Sequence, residues 1–116
     1  MLRRKLAHVR PSVRAILYLL RNEFSFGLLA FCALVTMFVS FALHISRFEF
    51  LIVILTIGGM LSVETINTAI EELCDHVTPE EHPHIGRIKD LGSGAAFIMW
   101  CAAFVVGLII FIPHLL

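Results

Sequence analysis

Four polar side chains recur down one face of an otherwise apolar segment: Glu64, Asn67, Glu71 and Asp75 follow directly on the charge-free run Phe50 to Val63. At about 100° per residue of helix, these positions fall within roughly 80° of one another. Carboxylates and an amide in such a column suit magnesium, which takes one or two carboxylates and completes its shell with phosphate oxygens and water. Further along, Lys89 and Asp90 add a cation able to neutralise a phosphoryl group and another carboxylate. Phosphoryl transfer asks little covalent chemistry of a protein. It asks for positioning, for cations and for a base that orients the attacking hydroxyl.

The column belongs to a membrane protein. Of 116 residues, 59% are hydrophobic, far above an ordinary soluble domain. Crossing the hydrocarbon takes about 20 helical residues, and the uncharged run at Phe50 is too short, so the helix must continue through Glu64. An ionised carboxylate there costs about 3 kcal/mol on insertion scales, which calls for a partner, a cation or a wet cavity. Two plainer readings stay open: Glu64 is protonated, or Asn67 is only a hydrogen bond between helices.

The elements that must position these groups are helices. Phe24 to Ser46 and Leu91 to Ile112 are charge-free runs long enough to span a bilayer. With the extended Phe50 segment they predict three transmembrane helices, at about 24–45, 49–77 and 87–113, in an all-α fold of one domain. Leu2, Leu6, Val9, Val13, Ile16, Leu17 and Leu20 recur at helical spacing among arginines, which predicts an amphipathic interfacial helix at about 2–21. Pro11 interrupts that pattern, so the secure part is expected to start near it and run to Arg21.

Arg3, Arg4, Lys5, Arg10, Arg14 and Arg21 precede the first span, and Arg87 and Lys89 lie between the second and third. Positive-inside logic then puts the N-terminus and the second loop in the cytoplasm. The first apolar run lacks a cleavage-site pattern and is not read as a signal peptide. Cys32, Cys74 and Cys101 are scattered and read as small hydrophobes. His82 and His84 in the second loop invite a zinc reading, but no further ligand stands at the required spacing. Gly92, Ser93, Gly94, Ala95 and Ala96 let a neighbouring helix or a ligand approach closely.

No Walker loop and no protein-kinase element occurs, so a kinase here must be built from membrane helices. Three helices are too few to enclose nucleotide and lipid together, which points to a site shared across a homo-oligomer. Two other classes compete. A proton or ion conduit would use Glu64, Asn67 and Glu71 as relay groups, but leaves Glu23, Lys89 and Asp90 without a task. A non-catalytic assembly subunit would use the polar groups only to join helices. No nucleic-acid partner is expected.

The run Glu64–Glu71 (ETINTAIE), then Asp75, then Lys89–Asp90 followed by LGSGA, resembles the signature of the prokaryotic diacylglycerol kinase family, which includes the undecaprenol kinases. The likeness covers the chain from Asn22, Glu23 and Phe26 onward. It implies a homotrimeric kinase of the bacterial inner membrane, moving the γ-phosphate of ATP to a lipid alcohol with Mg2+. On that likeness Glu64 matches the general base and Asn67 its polar neighbour, while Glu23 and Glu71 match the carboxylates that hold magnesium with the nucleotide. Lys89 and Asp90 match a pair near the phosphates and ribose, and Ser93 a position beside the lipid hydroxyl. Arg4, Glu80 and His82 are further candidate nucleotide contacts, although the N-terminal helix and second loop match poorly. Pro11 departs from the family's pattern, so its neighbourhood is not transferred. LTIGGM before the motif, His82–Pro83 and GLIIFIP ending at Pro113 are closer in texture to the undecaprenol kinases, so undecaprenol is the expected acceptor and diacylglycerol the alternative.

Overall fold

The computed structural model describes residues 2–77 and 82–116. Every regular element among them is a helix: α1 (Leu2–Ala7), α2 (Val9–Asn22), α3 (Phe24–Ala42), α4 (Arg47–Val77) and α5 (Pro83–Leu115). The last three are long and apolar enough to cross a membrane, so the chain is an all-helical membrane protein.

The N-terminal segment is two helices where one was expected, with the turn at His8. Pro11 explains the break, because it has no N–H to offer the Ala7 carbonyl and its ring crowds that oxygen. The His8 N–H instead reaches back three residues to the Lys5 carbonyl, at 3.3 Å. Pro11 then sits in the first turn of α2, where a missing N–H costs nothing. The helix therefore starts two residues ahead of the proline. A single extended residue, Glu23 (φ −108°, ψ 107°), separates α2 from α3.

The turn from α3 to α4 is closed from both sides. His44 takes the left-handed conformation (φ 53°), its N–H reaching the Phe41 carbonyl and that of Ile45 the Ser40 carbonyl, the double bond of a Schellman ending. Ser46 and Glu49 then form a reciprocal capping box: the Ser46 N–H donates to Glu49 Oε1 (3.0 Å), and the Glu49 N–H to Ser46 Oγ (3.1 Å).

Helix α5 begins at Pro83, four residues ahead of the expected span. Proline is well placed in a first turn, and His82 precedes it as the cap, its Nδ1 accepting from the His84 N–H at 3.1 Å.

The most extensive packing is α4 on α5, antiparallel; α3 rests on α4, and α2 on α3. At about 1.5 Å per residue, the 31 residues of α4 outreach a hydrocarbon core of about 30 Å. About 20 residues counted from Phe48 end at Asn67, so Glu64 and Asn67 stand at one edge of the hydrocarbon and Glu71 and Asp75 beyond it. Five hydroxyls inside the spans satisfy themselves on the carbonyl one turn back: Thr36 on Cys32, Ser40 on Thr36, Thr56 on Ile52, Thr65 on Leu61 and Thr68 on Glu64. They need no second helix, which leaves the interhelical polar contacts to the α4–α5 seam.

Candidate active site

Cross-contacts between α4 and α5 run in antiparallel register from one end of the pair to the other. Asp75 meets Lys89, Asn67 meets Gly92, Glu64 meets Trp100, Gly59 meets Met99 and Glu49 meets His114. The last pair, at 3.1 and 3.3 Å, closes the end opposite the acidic column.

Among the glycines, the tightest contact is at Gly92. A Cβ there would overlap Asn67 Oδ1, so only glycine lets the amide lie flat against the α5 backbone. Asn67 Nδ2 donates to Glu71 Oε1 at 3.4 Å, one turn on. Oδ1 is buried with no hydrogen-bond partner, the one such side-chain atom among the described residues. An unmet buried acceptor costs about 1–3 kcal/mol, so Oδ1 is the atom of the seam with most to gain from a donor.

Glu64 is half-buried and accepts a hydrogen bond at Oε1 from the indole N–H of Trp100, at 3.4 Å. Sequence reasoning missed Trp100. A signal was present, because Gly92, Ala96 and Trp100 share one face of α5 at spacings of four, and Gly92 and Ala96 are both buried. Uniform hydrophobicity along the span hid which face met α4.

At the polar end, Lys89 Nζ pairs with Asp75 Oδ1, with side chains 38% and 65% exposed. An ion pair this exposed adds about 1 kcal/mol or less to stability, so its consequence is where it holds the lysine. Glu71 lies exposed between this pair and Asn67 along the helix.

Other expected site residues make no hydrogen bond or ion pair with the column among the described residues. Glu23 is half-buried at the α2–α3 corner. Ser93 and Asp90 are exposed, as is Arg4 on α1, and the His82 side chain caps α5. Glu80 lies outside the described residues. Among those described, no three acidic, histidine or cysteine side chains converge as a metal cage. Glu71, exposed beside the seam, is the kind of carboxylate donor that suits magnesium, which keeps its waters and phosphate ligands.

Three membrane-grade helices with an acidic, cation-attracting seam at the edge of the hydrocarbon define a polytopic membrane protein with a polar site facing one interface. The family model described as prokaryotic diacylglycerol kinase matches residues 10–111. An undecaprenol kinase from Bacillus subtilis is 37% identical over 95 residues, covering 82% of this chain and 77% of the relative. Diacylglycerol kinases from Pseudomonas aeruginosa (37% over 87 residues, 75% of this chain and 71% of the relative) and Haemophilus influenzae (30% over 89 residues, 77% and 73%) also match. The chain belongs to the prokaryotic diacylglycerol kinase family. It is a lipid kinase, which decides against the conduit and the inert subunit.

Proposed function

We propose that this kinase phosphorylates undecaprenol at the cytoplasmic face of the bacterial inner membrane, using MgATP. The observation that carries the reading is the Glu64–Asn67–Glu71 column at the hydrocarbon edge, with Asn67 Oδ1 buried and unpartnered. A lipid alcohol keeps its chain in the bilayer and its hydroxyl at that edge. Nucleotide arrives from water, at the end where Glu71, Asp75 and Lys89 emerge.

Glu64 is the base. It takes the proton of the acceptor hydroxyl as the alcohol oxygen bonds to the γ-phosphorus and the bond from that phosphorus to the departing ADP oxygen breaks. Asn67, fixed by Gly92, orients the groups between base and phosphate. Glu71 and Glu23 would hold magnesium, which when bound shields the phosphate charge. Lys89, held by Asp75, adds a positive charge beside the phosphates, with Asp90 next to it for the ribose and Ser93 for the acceptor hydroxyl. Arg4, Glu80 and His82 are outer nucleotide contacts.

Three helices leave little room to enclose nucleotide and lipid together, which supports a composite site in a homotrimer. Large apolar side chains on every span are exposed, among them Phe24, Phe38, Leu55, Phe97 and Ile109, a surface that lipid and neighbouring copies would cover. The apolar side chains exposed on α1 and α2, Leu2, Leu6, Val9 and Val13 among them, with their flanking arginines, support an interfacial position.

The likeness to the Bacillus subtilis undecaprenol kinase favours that acceptor, and diacylglycerol, also a primary alcohol, is the competitor to run beside it. Glu64→Gln should leave assembly intact and lower the transfer rate at least about 10²-fold, the usual minimum for loss of a positioned base. Wild-type transfer by that variant would remove Glu64 from the chemistry.

A further inference from the structure

Trp100 has no part in the steps above, yet two observations converge on it. Its indole N–H donates to Glu64, and its ring walls a cavity of about 260 Å3 between α3, α4 and α5, with Leu29, Thr36, Ile57, Met60 and Phe104. The Thr36 hydroxyl is spent on the Cys32 carbonyl, so the cavity presents hydrocarbon up to the indole, beside which stands the carboxylate. We propose that Trp100 is a positioning and specificity residue: its N–H fixes Glu64, and its ring sets the width of acceptor chain that can bring a hydroxyl to that carboxylate.

The inference rests on Glu64 being the base. A carboxylate has about four acceptor positions; the indole occupies one on Oε1 and leaves Oε2 for the hydroxyl proton. At 3.4 Å the bond is long, as contacts in a catalytic site often are before substrate closes them. The cavity is smaller than the roughly 300–1,000 Å3 of small-molecule pockets, so it takes only the chain segment next to the hydroxyl. In a polyprenol that segment is a single chain. In a diacylglycerol the neighbouring carbon already carries a branch to an ester. An indole wall at this point therefore favours the slimmer alcohol.

Trp100→Phe keeps a ring and removes the donor. It should lower kcat with undecaprenol about 10-fold, the worth of one hydrogen bond, while KM for MgATP stays unchanged. Trp100→Ala opens the wall and should narrow the undecaprenol-to-diacylglycerol ratio of kcat/KM by on the order of 10-fold. Trp100 is the chain's one tryptophan, so its emission reads the site directly even if a variant folds poorly. Undecaprenol titrated into Glu64→Gln should shift that emission more than diacylglycerol does. Wild-type kcat and acceptor ratio in both folded variants would overturn the inference, and so would emission that answers to protein concentration but not to lipid, since a second copy would then cover the cavity. An active Glu64→Gln would instead overturn the reading of the base. An inactive Glu64→Gln beside wild-type-like Trp100 variants would sink only the role given to Trp100.

Discussion

A methyl group at Gly92 is the smallest change that reaches the chemistry without touching a charged residue. It would drive into Asn67 Oδ1, swinging the amide off α5 and away from its contact with Glu71. Gly92→Ala should therefore lower kcat by about 10-fold or more, the scale of one misplaced polar contact. Gly107→Ala, where a Cβ meets nothing within 4 Å, should leave kcat near wild type; equal effects in parallel assays would count against a Gly92–Asn67 contact. Asp75→Asn tests the exposed pair, and should raise KM for MgATP with little change in thermal stability, because such a pair stabilises the fold weakly. Of these side chains, Glu64, Asn67, Glu71 and Asp75 were legible as a column because helical spacing fixes a shared face. Trp100 and the packing at Gly92 were not, because α5 is apolar on all sides and its sequence does not say which stripe meets α4.

At the scale of elements, the turn between α3 and α4 starts α4 two residues ahead of Glu49, whose pairing with His114 closes the far end of the seam. His44 is left-handed there (φ 53°), and a side chain in that conformation costs about 1–2 kcal/mol. His44→Gly should raise the thermal midpoint in detergent without changing activity. Ser46→Ala should lower it, by the equivalent of about 1 kcal/mol for a lost cap; a rise would contradict the capping box. The three spans were visible from length and hydropathy alone. Their helix ends were not, because a helix runs past the hydrocarbon wherever caps allow. Arg87 and Lys89 mark the edge of the membrane, while Pro83 and His82 mark the start of the helix. The break at His8 followed from the same proline that had placed the secure helix near Pro11, since a proline interrupts the turn before it rather than the residue itself.

As a whole molecule, the single chain leaves much apolar surface uncovered, which the proposed homotrimer would cover in part. If each site draws on two protomers, co-assembled Glu23→Ala and Glu64→Gln chains should regain activity that neither has alone, because mixing leaves some sites with both carboxylates intact. Mixed oligomers as inactive as their parents would place each site within one chain. The acceptor itself is decided by transfer of labelled phosphate from MgATP to undecaprenol and to diacylglycerol, offered in parallel to the purified oligomer. Label should appear on undecaprenol, faster than on diacylglycerol, and be lost in Glu64→Gln. Label on diacylglycerol alone, or transfer that survives Glu64→Gln, would contradict it.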